Sequence, residues 1–274
     1  MSTVERHYTH GRLIQAITDG LAALGKTPVT VAVDDLSPVD EFHIGGRTAT
    51  DDLMKQLHLA HDLRVLDVGS GLGGAARFVA SRYGCRVTGI DLTEEYVETA
   101  RALSRWTKLA ALLSFHHGSA LEMPFADREF DRAYMLHVGM NIPDKAALFS
   151  EVARVLRPGG TLAVYDVMRV GDGALAFPVP WAATPDISAL ATPDAYKAAL
   201  RASELEIVSE RNRRDFAIEF FRTLRARMTE AGGPPPLGLH LVMGADSRLK
   251  IGNMMANIEL GVIAPVELIA RRSS

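Results

Sequence analysis

The stretch from Val65 to Ala80, VLDVGSGLGGAARFVA, constrains the fold of this chain more than any other part of its sequence. Four glycines fall within six residues, between an apolar run typical of a buried strand and a run with helical periodicity. A strand that passes through a glycine-rich turn into a helix is typical of α/β sheets that bind nucleotides, where the turn brings bare backbone close to a ligand. We therefore expect a ligand site at this turn.

Short strand-like runs alternate with helical runs beyond this point, which predicts parallel strands joined by crossover helices. The predicted strands are 64–69, 85–91, 112–118, 131–138, 161–168, 205–213 and 264–272. The predicted helices are 10–24, 48–57, 75–83, 93–106, 144–156, 194–203, 215–228 and 246–258, and residues 34–47 are predicted to be a loop.

The chain divides into an N-terminal region, residues 1–60, with helices and a lid loop, and a main domain, residues 61–274. The alternation of strands and helices ends after Met168. The segment that follows is rich in Gly and Pro and is too long for a simple loop between a strand and a helix. We expect residues of about 170–260 to form a cap that selects the substrate.

Composition excludes several classes of function. The net charge of −3 gives no basic field for nucleic acid. The single cysteine, Cys85, cannot form an internal disulfide, and the histidines show no metal-ligand spacing, so we expect no metal. No leader and no run of 18 apolar residues are present, which predicts a cytoplasmic protein that does not enter a membrane. The apolar segments 216–224 and 252–265 could pack as core or form a homodimer contact.

The glycine turn itself indicates the charge of its ligand. Gly69, Gly71 and Gly74 spell G-x-G-x-x-G, which also occurs in dinucleotide sites, so a nicotinamide oxidoreductase is one alternative. Asp67, two residues before the first glycine, would repel a pyrophosphate at this turn. A cationic or zwitterionic ligand fits better, and Asp91 at the end of the next strand is placed to accept hydrogen bonds from ribose hydroxyls.

A family resemblance covers residues 63–168. The segments LDVGSGLGG, GIDLT, GSALEMPF, FDRAYMLHV and EVARVLRPGG are similar, in order, to the motifs of class I S-adenosylmethionine-dependent methyltransferases. The resemblance implies a Rossmann-like α/β fold with a seven-stranded, mostly parallel sheet, the last strand antiparallel, and helices on both faces. It also implies S-adenosylmethionine as the cofactor.

The same resemblance implies roles for individual residues. Asp67, Gly69 and Gly71 would face the methionine part of the cofactor, and Asp91 its ribose hydroxyls. The remaining contacts would be Leu92 on the adenine face, Ser119 and Ala120 at the adenine edge, and Met135 to His137 on the sulfonium side. Many members of the family have Asp where this chain has Ser119, so the contact to the adenine amino group differs here.

A narrower resemblance concerns the substrate. The segments EFHIGG, GGAARFVASRYG and MNIPDKAALFSEVARVLRPGG are similar to the branch that contains sarcosine/dimethylglycine and related small-molecule N-methyltransferases. This implies a small-molecule acceptor with nitrogen as the methylated atom. Methylation of oxygen or carbon in a small natural product is the alternative, and a noncatalytic domain that binds the donor is a further one.

Three residues are candidates for the chemistry. An oxygen or protonated amine must lose its proton to attack a sulfonium methyl, and a neutral histidine can accept that proton. His137 follows the fourth strand where the methyl should point, and His43 lies in the lid loop. Asn141 could orient the acceptor or cap the helix that begins near Asp144. In the cap, Phe177, Trp181 and Arg169 are candidate substrate contacts, with core packing or an ion pair as alternatives.

Overall fold

Seven strands form one mixed sheet in the part of the chain that the computed structural model describes, residues 8, 9, 11–230 and 232–273. The predictions on residues 1–7 and on His10 lie outside these residues. The strands are β1 Arg64–Val68, β2 Arg86–Asp91, β3 Leu113–His117, β4 Phe130–Leu136, β5 Leu156–Arg169, β6 Leu205–Asn212 and β7 Ile263–Arg272. All seven predicted strands are therefore present.

The strand order is β3-β2-β1-β4-β5-β7-β6. The strands from β3 to β5 pair in parallel, whereas β7 runs antiparallel to both of its neighbours, β5 and β6. This confirms the predicted Rossmann-like sheet with an antiparallel last strand. The order reverses between β1 and β4, and such a reversal opens a crevice at the carboxyl ends of the strands.

Helices cover both faces of this sheet. The helices are α1 Leu13–Ala23, α2 Val33–Asp40, α3 Gly46–Lys55, α4 Gly74–Tyr83, α5 Glu94–Trp106, α6 Lys145–Val155, α7 Pro193–Ala202, α8 Arg214–Glu230, α9 His240–Met243 and α10 Ser247–Glu259. The apolar residues of α3, α4 and α5 share a core with one face, and those of α6 and α7 share a core with the other. None of the described helices is long and apolar enough to cross a membrane.

Residues 33–40 form a helix where the sequence predicted a loop. Leu36 and Val39 explain the difference, because both are fully buried in an apolar cluster that also contains residues of α1, α5 and α9. Pro38 lies inside α2 and cannot donate a hydrogen bond to the carbonyl four residues earlier. The Ser37 hydroxyl donates to that carbonyl of Asp34 instead, at 3.0 Å, so the helix continues past the proline.

The predicted cap, residues 170–260, is not one continuous unit. It contains α7 and β6, which belong to the core of the sheet. The other parts, residues 170–192 with α8 and α10, pack together in a separate apolar cluster that includes Trp181 and Phe177. The domain boundaries themselves stay a prediction.

A buried ion pair fastens α2 to the glycine-rich part of the chain. Arg77 in α4 and Asp40 at the end of α2 both have side chains with no solvent exposure, and the guanidinium Nη2 lies 2.6 Å from the carboxylate Oδ2. Gly74 permits this approach, because a Cβ at that position would overlap the Asp40 carbonyl. The first glycines of the motif therefore serve the turn, and Gly74 serves the packing of α2.

We expect Arg77→Met to destabilise the protein by about 3–5 kcal/mol, because the substitution leaves the Asp40 carboxylate buried without its partner. Chemical denaturation monitored by circular dichroism measures the free energy of unfolding. The control is Arg82→Met on the same helix, whose side chain is 59% exposed, and it should change stability by about 0.5 kcal/mol or less. Equal effects of the two substitutions would contradict a stabilising role for the pair.

Candidate functional site

A cavity of about 240 Å³ opens at the carboxyl ends of β1, β2 and β4, where the strand order reverses. The glycine turn after β1 forms its floor, and residues of the lid loop after α2 and of α9 complete its wall. The residues predicted from the sequence that line it are Asp67, Gly69, Gly71, Asp91, Leu92, Ser119, Ala120, His137, Asn141 and His43.

Met135 is the exception among the predicted residues. Its side chain is buried in the core between the sheet and the helices α6 and α7, and does not line the cavity. Successive residues of a strand point to opposite faces, and β4 ends at Leu136 before the backbone turns. The cavity wall is therefore made by Leu136, His137 and Val138, and the expectation for Met135 is corrected.

The backbone of the turn requires glycine at two positions that touch the cavity. Gly69 and Gly71 have φ angles of 70° and 51°, in the left-handed region that favours glycine. A Cβ at Gly69 would overlap the Val138 side chain, whereas the same position at Gly71 has no atom within 4 Å. Gly71 thus presents bare backbone to open space.

Within this turn the amides of Gly69, Ser70 and Gly71 are already hydrogen-bonded inside the protein. The amides of Gly69 and Ser70 donate to the carbonyl of Ile90 at 2.8 and 3.0 Å. The amide of Gly71 donates to the Asp91 carboxylate at 2.8 Å. A pyrophosphate bound at a glycine turn takes hydrogen bonds from amides of this kind. These three amides are therefore not free, and the carboxyl groups of Asp67 and Asp91 lie at the same cavity.

Two carboxylates at the turn have perturbed pKa values. Burial raises the pKa of Asp67 to about 8, although the Tyr134 hydroxyl donates to it at 2.9 Å. Burial also raises the pKa of Asp91, against the lowering effect of the amides of Thr93 and Gly71 that donate to it. Each carboxylate would be stabilised by a cation or a further donor from a ligand.

Four polar atoms of the cavity wall are shielded from solvent and have no hydrogen-bond partner among the described residues: Asp40 Oδ1, Ser70 Oγ, Tyr96 Oη and His137 Nε2. An unsatisfied buried polar group costs about 1–3 kcal/mol, so these four atoms lower the stability of the ligand-free protein. Of these residues the sequence predicted only His137. Ser70 could have been found, since it lies inside the glycine turn, whereas Asp40 and Tyr96 reach the cavity only through the packing of α2 and α5.

His137 leaves β4 in a left-handed conformation, with φ 56°. Its ring packs on the ring of Tyr165, with 5.1 Å between centroids, and lies edge-on to the ring of His43 at 5.9 Å. Burial, together with the nearby His43, holds the pKa of His137 well below its usual range. His137 is therefore neutral at pH 7 and can accept a proton through a ring nitrogen.

His43 is fixed by the loop that carries it. Its Nε2 lies 3.2 Å from the Gly46 carbonyl and 3.0 Å from the Thr50 hydroxyl, and that hydroxyl donates to Glu41 at 2.6 Å. Nε2 must therefore carry the proton, which leaves Nδ1 as the acceptor. Burial lowers the pKa of His43 to about 4 and raises the pKa of Glu41 to about 7.

Asn141 takes part in the cavity and not in the helix cap. Its Oδ1 accepts from the Tyr8 hydroxyl at 3.3 Å, and Asp144 caps α6 by accepting from the amide of Ala147. Arg169 donates to the carbonyls of Gly171 and Gly173 and does not reach the cavity.

Phe177 and Trp181 lie in the apolar cluster of the cap and do not line the cavity either. Within the described residues no three His, Cys, Asp or Glu side chains form a group that could hold a metal ion.

Comparison with known proteins finds a family match for the part of the chain that supplies most of the cavity. Residues 66–164 match the family model described as a methyltransferase domain. Methyltransferase GfsG from Streptomyces halstedii is 35% identical over 134 residues, which make up 49% of this chain. The alignment covers 48% of that protein, so the chain spans about half the length of this curated relative. Other matched proteins are named O- and C-methyltransferases.

Solved structures share the fold over most of the chain. Phosphoethanolamine N-methyltransferase 2 of Haemonchus contortus superposes with a TM-score of 0.70 and 21% identity, over 94% of this chain and 60% of that one. A protein described as a sarcosine dimethylglycine methyltransferase, from Galdieria sulphuraria, gives a TM-score of 0.65 and 20% identity, over 82% and 83%. At these identities the likeness concerns the fold alone.

We expect Asp67→Asn to stabilise the ligand-free protein more at about pH 8 than at about pH 5. The folded-state pKa of Asp67, about 8, lies above the ordinary value of 3.8, so the wild type loses stability as pH rises between these values. The side-chain amide of the variant does not titrate in this pH range. The difference in free energy of unfolding between variant and wild type should therefore grow with pH.

Denaturation at several pH values measures this difference. Asp172→Asn, at an exposed position, is the control and should give a pH-independent difference. A pH-independent difference for Asp67→Asn as well would show that burial does not perturb this carboxyl.

Proposed function

We propose that this chain is an S-adenosylmethionine-dependent methyltransferase that acts on a small-molecule acceptor. The match of residues 66–164 to the methyltransferase domain and the likeness of the fold support the proposal. One observation carries it: Asp67 and Asp91 line the cavity beside the glycine turn, where the amides of Gly69, Ser70 and Gly71 are already hydrogen-bonded. That surface suits a ligand with positive charge and hydroxyl groups.

The residues present fit this cofactor. Asp67 would accept hydrogen bonds from the ammonium group, and its raised pKa falls when a cation lies beside it. Asp91 would accept from the ribose hydroxyls, since each of its oxygens accepts one protein amide and retains a lone pair. Leu92 would pack on the adenine, with Ser119 and Ala120 at the adenine edge.

The same features disfavour a dinucleotide. A pyrophosphate would have to displace the Asp91 carboxylate from the Gly71 amide and would lie beside the buried carboxyl of Asp67. Both changes cost free energy that a sulfonium nucleoside avoids. An NAD-dependent oxidoreductase is therefore the weaker alternative.

Nitrogen is the acceptor atom we propose, in a small molecule of the sarcosine/dimethylglycine type. Two solved structures that share the fold are described as methyltransferases that act on amines, which supports this choice. Matched O- and C-methyltransferases keep oxygen and carbon as the alternative. A cytoplasmic location, a homodimer and the exclusion of nucleic acid as a substrate stay predictions.

The cofactor supplies an electrophilic methyl carbon on a sulfonium. The chain's own residues then have to desolvate and orient the acceptor and take its proton. His137 is neutral and its Nε2 has no partner among the described residues, so it can accept a proton from the acceptor atom. His43, whose ring lies edge-on to that of His137 with 5.9 Å between centroids, provides a second neutral imidazole. The amide of Asn141 can orient the acceptor.

Incubation of the protein with methyl-labelled S-adenosylmethionine and a metabolite extract should give a labelled small-molecule product, detected by mass spectrometry. Calorimetric titration should show binding of S-adenosylmethionine and none of NADH. The control is Asp91→Ala, which should weaken cofactor binding by about 1.5–3 kcal/mol, because it removes a charge-assisted hydrogen bond. Binding of NADH without transfer of label to any product would overturn the proposal.

We expect His137→Ala to lower kcat by about 100-fold or more, the scale of general-base catalysis, with little change in cofactor affinity. Steady-state kinetics with the identified acceptor, together with calorimetry, separate the two effects. His61→Ala is the control, since that side chain is 77% exposed. Unchanged kcat in His137→Ala would show that His137 is not the base.

A further inference from the structure

A fully buried carboxylate lies directly behind the segment that carries His137 and Asn141. Asp166 in β5 has no solvent exposure and does not line the cavity. Its Oδ1 accepts from the amide of Val138 at 2.7 Å, and its Oδ2 accepts from the amide of Gly139 at 3.0 Å. The hydroxyl of Tyr196 in α7 also donates to Oδ2, at 2.9 Å.

These three hydrogen bonds fix a turn that the local sequence does not favour. The backbone leaves β4 with His137 in the left-handed region, which a non-glycine residue adopts at a cost. Gly139 follows because a Cβ there would overlap the Asp166 carboxylate and the Tyr196 hydroxyl. The amides of residues 138 and 139 thus point away from the cavity toward Asp166, and the side chain of His137 faces the cavity.

The segment after β5 braces the other end of the same turn. The amide of Ala189 donates to the carbonyl of Met140 at 2.8 Å. The ammonium of Lys145 donates to the carbonyls of Ile142 and Ala189, at 2.5 and 3.0 Å. Residues 170–192 do not line the cavity, and this turn is one of the places where they contact residues beside it.

Asp166 carries an electrostatic cost that its position must offset. Burial raises the pKa of Asp166 to about 6, against the lowering effect of its three donors. Lys145, the nearby cation, lies 5.2 Å from the centre of the Tyr196 ring and donates to carbonyls, not to the carboxylate. Retention of a buried carboxyl at this cost is consistent with a role in setting the geometry of the turn.

We propose that Asp166, held by Tyr196, is a positioning residue for methyl transfer: it sets the orientation of His137 and Asn141 toward the acceptor without touching any ligand. The proposal rests on the proposed function, because only a methyl-transfer reaction gives these two side chains an acceptor to orient. It assigns to β5 and α7 a role in turnover and not in cofactor binding.

The test is Asp166→Asn in the full chain. An amide cannot accept from both backbone amides and the Tyr196 hydroxyl at once, so the turn should shift. A displacement of about 1 Å at a reacting group lowers the rate by about 100-fold, and we expect a fall in kcat of about 10- to 100-fold. The cofactor dissociation constant should stay within about twofold, since Asp166 lies outside the cavity.

Tyr196→Phe is the second variant, and it removes one donor while both backbone bonds to Asp166 remain. It should lower kcat by less than Asp166→Asn does, and it keeps the proposal testable if Asp166→Asn does not fold. Asp194→Asn, 90% exposed on the same helix α7, is the matched control and should leave kcat and cofactor affinity unchanged.

Hydrogen exchange of the Val138 and Gly139 amides gives a readout that needs no turnover. In Asp166→Asn these two amides should exchange at least about tenfold faster, while amides of β2 remain protected. If the wild type transfers no methyl group, the proposed function fails, and this exchange still tests whether Asp166 holds the turn. A kcat within about twofold of wild type in both variants, or equal losses of kcat and cofactor affinity, would overturn the positioning role.

Discussion

The hydrogen bond from the Gly71 amide to the Asp91 carboxylate is the contact on which the site depends. It joins the turn after β1 to the end of β2, and the neighbouring amides of Gly69 and Ser70 bond to the carbonyl of Ile90 in that same strand. These three amides are therefore not free to bind a ligand. The same turn brings the carboxyl groups of Asp67 and Asp91 to one cavity.

Contacts within the protein hold the walls of the cavity in place. The buried ion pair of Asp40 and Arg77 connects the end of α2 to α4. The ring of Tyr165 contacts the rings of both His43 and His137. Several buried polar atoms of the residues that line the cavity have no hydrogen-bond partner among the described residues. Holding such groups ready costs stability in the ligand-free protein and reduces the ordering required on binding. Alignment of this kind is the main contribution a protein can make to an in-line displacement.

The strands and most helices could be predicted from the sequence because their apolar spacing is set locally, and the cavity residues that end β1 and β2 followed from the strand positions. Other features depend on distant parts of the chain. The helix α2 buries Leu36 and Val39 in a cluster built from distant elements, among them α1, α5 and α9, and nothing in its own sequence shows that cluster. Met135 was misplaced because the turn after Leu136 brings the next residue into the cavity. The role of Asp166 could not be predicted either, because its bonds to the amides of Val138 and Gly139 form only when β5 pairs with β4.

The place of β7 has a consequence for how the chain folds. Among the described strands, β6 pairs with β7 alone. In the sequence, the helices α8, α9 and α10 lie between β6 and β7. During synthesis the first five strands can associate while later residues are still being added, but β6 must wait for residues 263–272. Until then the edge of β5 that later pairs with β7 has unpaired backbone groups. A pause in translation between β6 and β7 therefore exposes the nascent chain to aggregation.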